Sequence, residues 1–191
     1  MEKRLNLYVS ASPEMDAECE LLGQLLANIT KSTQWTIKRT PGQGEFMNPD
    51  FEALRNSQFY VMLLGMDVMA PMGVEWTVAQ EVGLSTFAFH NVATVPSPAV
   101  TYFMRHTHEV PWEEYRSPQE FIHRLERRLI QRLLEGASGG GLFRPIGLDV
   151  ADVAELTARV KALEGQEETG GAAGEERRGA GRGGIILPST P

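Results

Sequence analysis

Between Leu5 and Leu134 short apolar runs alternate with stretches of helical spacing, and no other feature of the chain narrows its fold as far. The runs are Leu5–Ser10 (LNLYVS), Gln34–Lys38 (QWTIK), Gln58–Leu64 (QFYVMLL), Ser85–His90 (STFAFH) and, more weakly, His108–Trp112. Gln58–Leu64 carries no charge, as a central strand buried on both faces requires. The segments between the runs read as helices. Ser12 then Pro13 is an N-cap followed by proline at the first helical position. Met15, Cys19, Leu22, Leu25, Leu26 and Ile29 then share one face. Asp50–Asn56 reads as a short helix, Gly65–Gly73 (GMDVMAPMG) as a loop, and Val74–Val82 as a helix closed by Gly83. Ser97 and Pro98 repeat the cap signal for a helix reaching Arg105. Ser117 opens a long amphipathic helix with Phe121, Leu125, Leu129 and Leu133 on its apolar stripe. Such alternation calls for parallel strands with helices on both faces, joined by right-handed crossovers. Five strands predict an α/β, flavodoxin-like three-layer fold with sheet order 2-1-3-4-5.

The domain so read spans residues 1–135. Composition then shifts. Residues 136–148 open with GASGGG and read as a Gly-rich linker. Residues 149–164 read as an amphipathic helix with Val150, Val153, Leu156, Val160 and Leu163 on one face. Residues 165–191 hold too few apolar side chains to offset their ordering entropy and read as a disordered tail, with Ile185–Leu187 a short apolar patch. The net charge, 18 − 25 = −7, repels phosphate backbones and argues against nucleic acid as a partner. The single cysteine, Cys19, allows no internal disulfide and fits a reducing compartment. It lies on an apolar helix face, as inert core does. The first apolar run is shorter than the roughly 7–15 residues of a signal-peptide core. No run nears the roughly 18 apolar residues of a membrane helix. The expected setting is the cytoplasm, with no membrane contact.

Open parallel sheets bind ligands at the carboxyl ends of their strands, where the strand order reverses. Here that crevice is expected between the first and third strands, bordered by Ser10–Ser12 and Gly65–Gly73. Glu75 follows the second segment, in what reads as the first turn of a helix. The macrodipole favours glutamate there whether or not it has a function. Ser10, Ser12 and the amide of Gly65 are placed to position ribose or phosphate. Asp67 could bind ribose, although aspartate is also an ordinary turn residue. Trp76 could stack on a base, but it points about 100° away from Glu75 on a helix, which suits packing. His106 and His108 have the spacing of a metal pair on one strand face. With no third ligand near them, no metal is expected. GASGGG lacks the following Lys-Ser/Thr of a phosphate-binding loop. Arg124, Arg127, Arg128 and Arg132 lie among Glu120, Glu126 and Glu135, as on a solvated helix face.

The strand LYVS followed by ASPEMDAECE is similar to the opening strand and acidic helix of TIR-like domains. Asn56–Phe89 resembles the TIR-like and nucleoside deoxyribosyltransferase-like superfamily more closely. It holds the triplet NSQ, an apolar strand, a Gly-containing loop, GVEWTVAQEVG and a further strand. The resemblance covers roughly residues 4–135 and implies a nucleotide-binding domain. In that superfamily a glutamate at this helix position acts on the ribose of a nucleotide, and Glu75 is the matching residue. The chain departs from the pattern in its short Ser10-Ala11-Ser12 turn and in the apolar loop Gly65–Met69. The implied reaction is hydrolysis of the N-glycosidic bond of NAD or a related nucleotide, with NAD as substrate or ligand and no cofactor. Such cleavage passes through an oxocarbenium-like transition state that one fixed carboxylate stabilises. The alternative is a non-catalytic TIR-type signalling or nucleotide-sensing domain, which would bind a ligand or another copy of itself through Thr40–Pro49 and the neighbouring helices; the methionine-rich loop Met66–Met72 suits an adaptable contact surface. TIR-type surfaces also imply a homo-oligomer. A nucleoside deoxyribosyltransferase ranks third, because the further acids and aromatic cluster that transfer requires are not identifiable.

Overall fold

The computed structural model describes residues 3–30, 33–40, 48–138 and 148–175. The elements run β1 (Lys3–Ala11), α1 (Asp16–Ile29), β2 (Thr33–Arg39), α2 (Phe51–Arg55), β3 (Phe59–Leu64), α3 (Ala70–Val82), β4 (Ser85–Asn91), α4 (Pro98–His106), β5 (Trp112–Tyr115), α5 (Pro118–Ala137) and α6 (Val150–Glu175). The strands form one parallel sheet in the order β2-β1-β3-β4-β5. This is the three-layer α/β architecture and the strand order expected from the alternation.

Side-chain alternation along β1 divides the core in two. Leu5, Leu7, Val9 and Ala11 pack with Leu22 and Leu26 of α1 and with Phe121, Leu125 and Leu129 of α5. Tyr8 faces the other way, with Tyr60, Met62 and Leu64 of β3, against Leu54 of α2 and Met72, Trp76 and Ala79 of α3. All six residues of β3 are buried, so its uncharged run is covered on both faces. Each large apolar side chain so buried contributes about 1.5–3 kcal/mol, which makes β3 the strand the sheet can least spare. The edge strand β2 is exposed from Thr36 to Arg39. Leu156, Val160 and Leu163 of α6 join the first core. No helix among the described residues is long and apolar enough to cross a membrane.

Several boundaries differ from the sequence reading, each for a local reason. Helix α1 starts at Asp16 rather than Pro13, because residues 12–15 close a turn in which Met15 N donates to Ser12 O at 3.0 Å. Ser12 is therefore not a helix cap. Helix α3 starts at Ala70, four residues early. Pro71 sits in its first turn, where a missing N–H costs nothing. Strand β5 starts at Trp112 rather than His108, since Pro111 cannot donate to a ladder, and pairing begins at Ala88↔Trp112. Gly136 and Ala137, assigned to the linker, close α5 instead. Helix α6 continues past 164 to Glu175. Most of the linker, the core of the Thr40–Pro49 loop, the tail from residue 176 and the Ile185–Leu187 patch lie outside the described residues.

Candidate functional site

Tyr8 and Ser10 stand two residues apart on β1 and so share the face covered by α3. Glu75 lies in the second turn of α3, which begins at Ala70, so the helix-start preference for acidic residues does not account for it. Its side chain turns inward and is fully buried. The Tyr8 hydroxyl donates to Glu75 Oε1 at 2.7 Å. The Ser10 and Thr40 hydroxyls each donate to Oε2 at 2.5 Å. Thr40 directly follows β2, and its N–H extends the ladder by donating to Val9 O at 2.9 Å. Behind Ser10, the Tyr60 hydroxyl donates to Ser10 Oγ at 2.7 Å. The result is a buried chain, Tyr60 to Ser10 to Glu75, with two further donors on the same carboxylate.

The proton inventory fits an ionised carboxylate, which accepts only and here receives three O–H groups. Each hydrogen bond to a charged acceptor contributes about 1.5–3 kcal/mol. Three of them are of the size needed to offset the several kcal/mol that burying one ion costs. Burial nevertheless dominates and holds the Glu75 pKa above its ordinary value, against the lowering effect of the Ser10, Thr40 and Tyr8 hydroxyls. Burial, followed for Tyr8 by the Glu75 carboxylate, pushes the Tyr8 and Tyr60 phenols far up, so both stay protonated as donors. A proton taken up by Glu75 has a place to go. Thr40 Oγ1 lies 3.3 Å from Val9 O and can turn its own hydrogen there while accepting from the acid.

The two loop segments expected to face each other do converge. Ser12 Oγ donates to Asp67 O at 2.7 Å and accepts from Gly65 N at 3.3 Å. Glu14 Oε1 accepts from Met66 N at 2.6 Å. These bonds tie the segments together instead of leaving an open crevice between them. The carboxylate sits elsewhere, over β1 and beside the end of β2. Ser10 is thus the one predicted binding residue in contact with Glu75. Ser12 and Gly65 are spent on joining loops. Asp67 accepts from Val68 N and from Ser97 Oγ, each at 2.9 Å, and ties this loop to the start of α4. Trp76 is 5% exposed. Its ring stacks on Trp112 and meets Phe103 and Tyr60 edge-on, which leaves no face for a base.

His106 ends α4 and stacks on Tyr102, so the strand face it was to share with His108 does not exist. No group of three potential metal ligands occurs among the described residues. Sequence reasoning missed Tyr8, Tyr60 and Thr40. The two-residue spacing of Tyr8 and Ser10 was a readable signal. Thr40 gave none, since its role depends on the β1–β2 register. A cleft of about 670 Å³ lies at the opposite, amino edge of the sheet, around the start of β4.

No family model matches the chain, and no curated protein matches it in sequence. Among solved structures, that of Clostridium botulinum CMP N-glycosidase, BcmB, is similar to it at 17% identity and a TM-score of 0.41. The match covers 62% of this chain and 97% of that one.

Proposed function

We propose that this chain is a nucleotide-binding TIR-like domain in which Glu75 acts on the ribose, hydrolysing the N-glycosidic bond of NAD or a related nucleotide. The observation that carries this reading is the carboxylate shell at the carboxyl edge of the sheet: Glu75 fully buried, with donors from Tyr8, Ser10 and Thr40. An apolar side chain would fill the same space without the desolvation cost, so a carboxylate kept there with a perturbed pKa points to chemistry. Loss of the base leaves positive charge on the sugar. A fixed carboxylate in a dry site stabilises that charge far better than one in water. Ribose hydroxyls would replace Ser10 and Thr40 as donors to Oε2. Water would then add to the anomeric carbon; nicotinamide leaves NAD as a neutral base, so the water's proton passes to solvent, whereas the base of a neutral nucleoside linkage would take that proton as it leaves.

The test is release of free base from NAD, nucleoside monophosphates and nucleosides. It is run at high protein concentration, because TIR-like enzymes often need self-association to complete their sites. Release by the wild type and its loss in Glu75→Gln is the expected result. No release from any substrate, or equal rates for the variant, overturns the reading. A non-catalytic nucleotide-sensing or interaction domain is the second reading. It is favoured because both carboxylate oxygens of Glu75 already hold donors. Met66, Val95 and Tyr102, which are 51%, 86% and 65% exposed, supply contact surface for it. Calorimetric binding of NAD without turnover would select it.

A further inference from the structure

We propose that the cleft at the amino edge of the sheet is a second binding site, built for a small organic molecule with one carboxylate on an apolar body. The cleft follows from the length of β5. Pairing of β5 with β4 begins at Ala88↔Trp112, so Ser85, Thr86 and Phe87, which pair with β3 on one side, have no strand on the other. The space, about 670 Å³, is closed by the end of α3, the approach to β5 and the later turns of α5.

Two features of its lining point to a ligand. Ser85 lines the cleft and is 4% exposed, and its hydroxyl oxygen has no hydrogen-bond partner. Buried hydroxyls are normally satisfied, and one left alone in a cavity wall is a vacant donor for a bound acceptor. Arg128 also lines the cleft, with its Nε 2.6 Å from Glu113 Oε1 but not aligned for a hydrogen bond. That ion pair engages one edge of the guanidinium and leaves the fork of terminal nitrogens, whose geometry matches a carboxylate. The floor is apolar, with Leu84, Phe87 and Val110.

Charge decides between carboxylate and phosphate. Arg128 and Arg132 line the cleft, but they are paired to Glu113 and Glu135, at 2.6 and 2.7 Å, and Glu109 lines it as well. These groups together carry one net negative charge, so a bound anion relies on the terminal nitrogens of Arg128 alone, which suits a single charge and opposes a dianion. The site lies at the opposite end of the sheet from Glu75 and does not depend on its chemistry.

The test is an amide and arginine Nε nuclear magnetic resonance titration of the full chain with benzoate, benzyl alcohol and phenyl phosphate. The proposal expects saturable shifts at Ser85, Thr86, Phe87 and Arg128 with benzoate. It expects affinity weaker by about ten-fold or more for the neutral alcohol, the effect of losing one charge-assisted bond. Phenyl phosphate also binds more weakly than benzoate. Arg128→Met keeps the aliphatic stem and loses benzoate binding. Ser85→Ala weakens binding without lowering the melting temperature, because the hydroxyl it removes has no partner in the free protein. Absence of saturable shifts at the cleft overturns the proposal, as does equal benzoate affinity in the two variants and the wild type. Phenyl phosphate binding the tighter would overturn the assignment of a monoanion.

Discussion

The Tyr8 hydroxyl donates a 2.7 Å hydrogen bond to Glu75 Oε1 across 67 residues of sequence. This contact joins β1 to α3 and helps set the rotation of that helix, with Glu75 turned in over the strand and Trp76 packed against Trp112. Tyr8→Phe keeps the ring and removes the donor. It is expected to lower stability by about 1.5–3 kcal/mol, since the acceptor is charged and cannot reach water. The pKa of Glu75 should rise further, because one of the bonds that lowers it is gone. Urea midpoints for Tyr8→Phe, Glu75→Gln and the double variant check this. Costs that add to within about 0.5 kcal/mol would mean the pair is not coupled.

The raised pKa of Glu75 fixes the sign of a pH effect. Its ordinary value is 4.5, and burial lifts it in the folded chain. Above 4.5 the folded state therefore holds a proton that the unfolded state releases. Stability falls as pH rises from there through the raised value, then levels off. Glu75→Gln has no such titration. The stability of the wild type minus that of Glu75→Gln should shrink across this window in chemical denaturation at stepped pH. A difference that grows with pH would show that the three hydroxyl donors outweigh burial.

The same Ser-Pro signal occurs three times, at Ser12, Ser97 and Ser117, and its fate shows what local sequence can carry. Ser97 Oγ accepts from Val100 N and Ser117 Oγ from Glu120 N, each at 3.2 Å, as caps do. Ser12 has the same neighbour, yet its hydroxyl is claimed by Asp67 O, 55 residues away. Elements whose cause is local were legible: the uncharged run of β3, the caps of α4 and α5, and Gly83 at φ 73° ending α3. Features with a distant cause were not. Thr40 reaches Glu75 only because β2 pairs with β1 in one register. Glu75 itself came forward through resemblance and topology, while the donors Tyr8 and Thr40 awaited the packing of α3.

Gly65 stands where the two loop segments meet, and a Cβ there would fall on Glu14 Oε1 and Met15 Cε, well inside contact distance. Gly65→Ala must push the Glu14 carboxylate off Met66 N–H and disturb buried Met15. A loss of about 1 kcal/mol, the size of one hydrogen bond, is expected. Glu14→Ala removes the same bond and clears part of the space. The second substitution should therefore cost less when the first is present. Thermal melts of the two single variants and the double variant measure this. Strict additivity would mean that the loop gives way without involving Glu14.

Gly73 presents the opposite case on the neighbouring helix. It lies in the first turn of α3, two residues before Glu75, and a Cβ there would meet nothing within 4 Å. Glycine at a helical position costs about 0.5–1 kcal/mol relative to alanine, mostly through the freedom it has when unfolded. Gly73→Ala should raise the melting temperature by about 1–4 °C in a chain of this size. It leaves the Tyr8, Ser10 and Thr40 bonds to Glu75 untouched. The substitution thereby separates two demands on α3. Glu75 is fully buried, so a ribose reaches it only if its surroundings open. If the start of α3 is the part that moves, the stiffer helix raises stability and slows base release together, the usual conflict between a rigid scaffold and a working site. If the opening lies on the Thr40 side, stability rises and the rate of base release is unchanged. A lower melting temperature would contradict the open space beside Gly73.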